Sequence, residues 1–454
     1  MKPFLKIIAG IFLALVLISN ALFTWVDRSN YQDADHYKQT ISSLDRHFEY
    51  QEVAPSDSLK IGWSTKTLIP NQPIETIPLA GYGARNPKEA SAINDSVAVR
   101  SLVISNRHQK VAMVSVELLI VHPEVAKRVY QLLEPKGWRP DELYLGATHS
   151  HSSLGAWAPG VVGKLFAGDY DAQMVEWLSN QIAQSVLEAG LLQSKGSYSY
   201  GELSLDDLVR NRLVGKKGIT DPSAKVLLFQ SVNGKALDFT FGAHATCLGH
   251  KNRLASGDYP AIFSKSLTSQ GNFDFVSFRA GAVASMSYAQ NGKSGWDAAQ
   301  WMGEELAQQA MLFEQLNLQP ISTANIYSYR LPVFLPDPQL KITNNLCLRP
   351  WLFNALVGSY PVYAQVHVLN DVLMISLPCD FSGELAVPLY EYARKKGVQL
   401  IINSFNGGYI GYVPKDQWYD LNKYETRTMA WYGPQSGAYF TEIIERIIDQ
   451  HELL

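Results

Sequence analysis

The chain opens on an apolar block: from Ile7 to Val26 no position carries a charge. As a helix, those 20 residues span about 30 Å, the thickness of a bilayer's hydrocarbon core. Lys2 and Lys6 precede the block and no comparable basic cluster follows, which places the N-terminus in the cytoplasm and the rest of the chain outside it. A cleaved signal peptide is the rival reading, with Ser19-Asn20-Ala21 as its cleavage site. From Asp27 to about Ser58 the chain is polar and mixed, with a short helix expected around His36–Phe48, and reads as a stalk.

Beyond Leu59 two periods alternate. Continuous apolar runs at Val111–Ile120 and Leu143–Ala147 predict buried strands, separated by a helix over Pro123–Leu133. Asp171–Ala189 has the spacing of an amphipathic helix. Lys225–Ser231 and Ala236–Phe241 flank Asn233-Gly234, a hairpin signal, and Val362–Leu369 pairs in the same way with Val372–Leu377. Helices are expected at Tyr259–Ser269, Ala298–Phe313, Gly383–Lys396 and Ala438–Ile448, with strands at Phe273–Phe278 and Leu400–Ser404. Leu335–Tyr360, rich in Pro and Asn, reads as a loop or insertion. The fold class is therefore α/β, with mixed β-sheets and flanking helices. The expected organisation is a transmembrane helix in residues 1–27, a stalk in 28–58 and one catalytic-sized domain in 59–454.

Composition changes this picture little. Hydrophobic residues make up 46% of the 454 and charged residues 18%, as in an ordinary folded enzyme. A net charge of −3 without basic runs argues against nucleic acid as a partner. Aromatics reach 11%; most belong in the core, and a minority can line an apolar cleft. Cys247, Cys347 and Cys379 contain no CxxC and read as small buried residues.

The candidate chemistry gathers where apolar strands end. His149 and His151 follow the Leu143–Ala147 run, and on an extended chain residues two apart face the same side. Two imidazoles aimed at one point suit a metal or a polarised substrate but cannot close a site alone. His244 follows Phe241, although a lone histidine there is more often a hydrogen-bonded core residue. Asp380 follows the strand ending at Leu377, where it would also serve as a helix N-cap. A small-residue run, Gly281 to Ser287, allows a tight turn that exposes a hydroxyl. The glycine-rich Asn406–Tyr412 ends in a tyrosine, with Tyr424 twelve residues later. Strand ends collected on one edge of an α/β sheet are where active sites form.

Several of these segments, in order, resemble the neutral or alkaline non-lysosomal ceramidases. Ala147-Thr148-His149-Ser150-His151-Ser152 is similar to the family's Ala-Thr-His-Thr-His-Ser, and Asn211-Arg212 to its Asn-Arg pair. Phe241 to Asp258, with Asn252-Arg253-Leu254, resembles its second histidine motif. Pro378-Cys379-Asp380 takes the place of its Pro-Gly-Glu. Tyr412 and Tyr424 take the place of its paired tyrosines, with Tyr432-Gly433-Pro434 after them. The resemblance implies a zinc-dependent hydrolase of the amide bond in ceramide or a related N-acyl lipid. It implies Zn²⁺ on His149, His244, Asp380 and Tyr412. His151, Arg212 and Tyr424 would orient the substrate and stabilise an oxyanion, and Ser287 takes the family's serine position.

Three departures mark a divergent member. Around Ser287 the family's glycine, aspartate and proline are all replaced, which leaves water on the metal as the alternative nucleophile. Asp380 is one methylene shorter than the family's glutamate, and Ser152-Ser153-Leu154-Gly155 replaces a glycine-rich continuation. The chain ends soon after Tyr439, which leaves no room for the family's C-terminal β-sandwich. Two other functions fit the same residues: a metal-dependent hydrolase of another ester or cell-envelope amide, or a catalytically inactive binding protein held at the membrane.

Overall fold

Strands that bury both faces need apolar side chains at successive positions, and this explains the unbroken apolar runs. The computed structural model describes residues 2–49, 55–86, 88–316 and 318–452. The chain passes through α1 (Lys2–Leu22), β1 (Phe23–Trp25), α2 (Asp35–Glu49), β2 (Lys60–Thr67), β3 (Ala98–Ser105) and β4 (Lys110–Val116). Next come α3 (Pro123–Leu133), β5 (Leu143–Ala147), α4 (Gly160–Ala167), α5 (Ala172–Leu191), β6 (Ser194–Ser204), β7 (Ser223–Ser231) and β8 (Gly234–Phe241). There follow α6 (Asp258–Ser269), β9 (Phe275–Ala280), α7 (Gly295–Glu314), β10 (Ile326–Pro332), β11 (Leu346–Leu348) and α8 (Pro350–Val357). The last are β12 (Tyr363–Leu369), β13 (Val372–Ser376), α9 (Gly383–Lys395), β14 (Gln399–Asn403) and α10 (Ser436–Glu452).

Eight strands form one mixed sheet in the order β9-β8-β7-β6-β2-β3-β4-β5, and four form a second in the order β10-β12-β13-β14. Pairs β4–β5, β8–β9 and β13–β14 are parallel. Along β4, Val111 and Met113 enter a layer shared with Ile326, Met374 and Ile401 of the second sheet, so the two sheets pack face to face. The alternate residues Ala112, Val114 and Val116 join a core that includes Val125, Val129, Leu178 and Ile182 of α3 and α5. β8 sends Leu237, Phe239 and Phe241 toward Phe263 of α6 and Leu306 of α7. Leu373, Ile375, Leu400 and Ile402 face Leu389 of α9 and Ile443 and Ile447 of α10. The result is helix, sheet, sheet, helix: mixed sheets with flanking helices, as expected.

Several boundaries depart from the reading of the sequence. The strand expected to Ile120 stops at Val116, because the Glu117 carboxylate takes the Ala98 N–H at 2.8 Å and pairs with Arg100. Leu118 to Val121 stay buried, as a loop. The strand expected over Phe273–Phe278 runs over Phe275–Ala280 instead, since Asp274 takes the Lys235 N–H at 2.9 Å and so sets its start. Leu335–Tyr360 is not a plain loop: it holds β11, paired with β1, and α8. Within 28–58, α2 is docked rather than free. Leu44 is buried with Ile444 and Ile448, and the Thr40 and Tyr439 hydroxyls lie 2.7 Å apart. α1 is exposed over the 19 residues Phe4–Leu22, long and apolar enough to cross a membrane by length and composition.

Candidate metal centre

The C-terminal ends of β5, β8 and β13 meet where the two sheets adjoin. Two backbone bonds join the sheets there: Ser404, just past β14, donates its N–H to Ala280 O at the end of β9 at 3.0 Å, and Ala284 N–H donates to Phe381 O, beyond β13, at 2.9 Å. The loops leaving these strands bring His149, His151, His244 and Asp380 together. The extended geometry expected for His149 and His151 is not what aligns them. His149 sits at φ 61°, in the left-handed region, so a turn swings the rings together and puts the two Nε2 atoms 3.1 Å apart. Gly81 is required beside them: it has φ 113°, and a Cβ there would stand 2.6 Å from the His151 Cα.

Each imidazole is oriented by a backbone carbonyl. His149 Nδ1 lies 2.7 Å from Leu119 O, His151 Nδ1 3.1 Å from Gly81 O, and His244 Nδ1 2.9 Å from Val283 O. A carbonyl only accepts, so each Nδ1 carries the proton and each Nε2 offers a lone pair. Burial pushes His149 and His244 down to about 3, and His151 well below the usual imidazole range. All three are therefore neutral at physiological pH. Their ligand atoms lie within 4.8 Å of one another. Two lone pairs 3.1 Å apart cannot bond each other; a cation bound to one of them removes the conflict.

Asp380 adds a carboxylate to the cluster. It is fully buried, with Oδ1 3.2 Å from His244 Nε2 and 3.6 Å from His149 Nε2. Oδ2 accepts the Tyr409 hydroxyl at 2.7 Å, whereas Oδ1 has no hydrogen-bond partner among the described residues. Burial raises its pKa and the neighbouring His149 opposes the rise. Asp380–Phe381 pairs in parallel with Tyr412–Val413, which seats the phenol beside the carboxylate. Tyr412 Oη lies 3.1 Å from His244 Nε2 and 3.1 Å from Arg212 Nη2. Two neutral imidazoles, a carboxylate and a phenol form a nitrogen and oxygen donor set that could hold a metal ion. Ligands about 2.0–2.1 Å from a tetrahedral ion stand roughly 3.3 Å apart, close to the 3.1–3.6 Å separations here.

Arg212 reaches this cluster from the Val209–Asn211 strand, with Nη2 also 3.2 Å from His244 Nε2. Burial opposes its charge, but Tyr412 and Glu425 outweigh that and raise its pKa. Glu425 accepts from Arg212 Nε at 2.6 Å and from the Ser285 N–H at 2.8 Å. It lies in a π-helix, Tyr424–Thr428, a distortion common at functional sites. Tyr424 stands half-exposed, its ring 6.1 Å from that of Tyr412. Ser287 sits in Met286–Tyr288, paired antiparallel with Val209–Asn211, and its backbone bridges to that of His244. Like His244, Asp380 and Arg212, it lies behind the residues that line the cleft.

That cleft opens over His149, His151, Tyr412 and Tyr424, between apolar walls that include Ile120, Trp157, Phe166, Tyr360, Met429 and Trp431. Four further residues were not anticipated. Glu425 and Tyr409 hold Arg212 and Asp380, Phe405 stacks on His149 at 3.9 Å and 5°, and His122 lines the cleft. His122 Nδ1 accepts the Glu124 N–H at 3.3 Å, so its Nε2 carries the proton. The three cysteines are free and buried, as expected.

Fold and site together define an α/β protein with a buried nitrogen and oxygen donor cluster beneath an apolar cleft. Residues 71–297 match the model of the neutral/alkaline non-lysosomal ceramidase N-terminal region. The fold is similar to that of neutral ceramidase from Pseudomonas aeruginosa, with a TM-score of 0.75, 18% identity, and 89% of this chain and 75% of that one covered. It is also similar to a ceramidase complexed with C2, with a TM-score of 0.74, 17% identity and coverage of 86% and 75%. The chain belongs to the neutral/alkaline non-lysosomal ceramidase family.

Proposed function

We propose that this protein is a membrane-anchored, zinc-dependent amidohydrolase that cleaves the amide bond of ceramide or a related N-acyl lipid. The observation that carries this reading is the meeting of unprotonated Nε2 atoms and an unpartnered buried carboxylate oxygen beneath an apolar cleft. In this reading residues 59–454 act as one catalytic domain, and α1 anchors it on the extracytoplasmic side.

His149, His244, Asp380 and Tyr412 would hold the zinc. The ion, when bound, supplies Lewis acidity, lowering the pKa of water toward neutrality and polarising the amide carbonyl. Arg212, a fixed positive charge held by Glu425 beside Tyr412 and His244, and Tyr424, a hydroxyl donor lining the cleft, would stabilise the developing oxyanion. His151 borders the cleft with its lone pair free, suited to accept the proton of the attacking water and to pass it to the leaving amine. Water adds to the carbonyl carbon, the C–N bond breaks, and fatty acid and amine leave. Water is the nucleophile in this reading, with Ser287, whose backbone bridges to that of His244, as the alternative. The apolar walls receive the lipid chains.

The test is release of fatty acid from an N-acyl sphingoid base by the purified full chain in detergent. Release that disappears in His149→Ala is expected. A folded, zinc-supplemented preparation that binds no metal would sink the reading. Activity on short acyl esters or envelope amides, with none on N-acyl sphingoid bases, would transfer the site to another substrate.

A further inference from the structure

The end of α1 and the mouth of the cleft are joined by one short helix. Residues at the start of α8 grip the last turn of α1: Arg349 N–H donates to Leu22 O at 2.9 Å, and Arg349 Nε to Asn20 O at 2.6 Å. Trp351 Nε1 donates to Ala21 O at 3.0 Å. The β1–β11 pair ties down the residues just beyond α1. At the other end of α8, Val357 and Gly358 line the cleft. Eight helical residues span about 12 Å, so the mouth lies that close to where α1 ends.

α4 packs beside α8 and forms the neighbouring part of the rim, with Val162, Gly163 and Phe166 turned to the cleft. Its other side presents Val161 and Leu165, one helical turn apart, at 63% and 48% exposure. Trp351, at the α1 end of α8, and Trp25, in β1 just beyond α1, stand 55% and 75% exposed. Large apolar residues left in water around a cleft, continuous with an exposed apolar helix, mark a surface with a partner. Two tryptophans next to the end of a membrane-spanning segment are also where indoles settle at a bilayer interface.

We propose that the face formed by α4, α8 and the end of α1 lies on the bilayer, so that the cleft opens into the lipid interface. An N-acyl lipid then enters sideways from the membrane, without crossing water. This rests on the reading of α1 as an uncleaved anchor, and the closing experiment separates the two.

The three native cysteines are buried, so single cysteines introduced at Val161, Leu165, Ile11 and Val232 can be labelled selectively with an environment-sensitive fluorophore. Val232 serves as the control: it is exposed in the β7–β8 hairpin turn, at the end of the sheet away from His244. The full chain is reconstituted into phosphatidylcholine vesicles containing lipids spin-labelled near the head group or deeper in the chains. At least twofold quenching is expected at 161 and 165 by the shallow label and at 11 by the deep one, with none at 232. Labels at 161 and 165 that stay as unquenched as 232, while 11 is quenched, overturn the docking face and leave the anchor standing. An unquenched label at 11 overturns both, and neither result bears on hydrolysis. A second readout is the double variant Val161→Asp, Leu165→Asp. It should cut hydrolysis of vesicle-borne N-acyl lipid at least tenfold and leave a short-chain, water-soluble N-acyl substrate unaffected. Equal loss on both substrates, or on neither, counts against the proposal.

Discussion

Replacing Asp380 by Asn tests the metal site through stability, without reference to any substrate. In the metal-free protein Asp380 Oδ1 is a buried acceptor between two imidazoles that offer it no proton. An unsatisfied buried polar atom costs about 1–3 kcal/mol, and more when charged. The amide that Asp380→Asn introduces would donate to the lone pair on His244 or His149 at the same place, so the chelated variant should be more stable than the chelated parent by about 2 kcal/mol. Zinc at roughly a thousandfold over its Kd stabilises the parent by about 4 kcal/mol and acts weakly on the variant, whose carboxylate ligand is gone. Unfolding entropy of about 2.1 cal/mol/K per residue, over 454 residues, comes to about 1 kcal/mol/K. The parent should therefore gain about 4 °C in Tm with zinc and start about 2 °C below the variant without it. Scanning calorimetry of both proteins in detergent, after chelation and after zinc is restored, reads all four values. Equal zinc shifts in the two proteins, or a chelated variant that melts below the chelated parent, would refute the reasoning.

Other substitutions separate the roles proposed around the site. His151→Gln should keep one zinc per chain and lose about 10²–10⁴ in kcat, whereas His149→Ala and His244→Ala lose the metal; metal analysis beside steady-state rates reads the difference. Arg212→Lys cannot reach Glu425, Tyr412 and His244 with one ammonium, so kcat should fall about 10²–10³ with KM nearly unchanged; an unaltered kcat removes Arg212 from oxyanion stabilisation. Ser287→Ala should retain activity within about tenfold; a larger loss would restore the serine as nucleophile. Asp258 is buried, which raises its pKa from 3.8 to about 6 despite the Leu248 and Tyr259 N–H groups bonded to it. A folded-state pKa raised in an acid means that folding holds the proton: the contribution is full below pH 3.8 and is lost as pH rises toward 6, by about 3 kcal/mol. Asp258→Asn cannot ionise, so its stability relative to the parent should climb by about that amount between roughly pH 4 and 7 in denaturant titrations; a pH-independent difference would contradict the burial argument.

The residues that were legible in the sequence share one property: their strands announce them. His149, His244 and Asp380 each follow an apolar run, and strand ends of parallel pairs collect on one edge. Glu425, Tyr409 and Phe405 escape this logic. Glu425 is fixed by a π-helix that no periodicity reveals, and Phe405 meets His149 only because it turns at φ 67°. Glu425 did carry a faint signal, standing beside Tyr424 in a segment already marked by its tyrosines. Leu118 to Ile120 read as the continuation of a strand because burial, not backbone pairing, sets their composition. α4 and α8 were missed for the opposite reason: both are eight residues long and carry exposed apolar side chains, so the usual amphipathic pattern is absent.

The most direct test of the central claim is fatty-acid release from an N-acyl sphingoid base by the full chain, followed through chelation and stepwise return of zinc. Release that vanishes on chelation and is fully restored by about one equivalent of zinc is the predicted result. Undiminished release after the metal has been stripped, or none from the zinc-loaded protein, would contradict it.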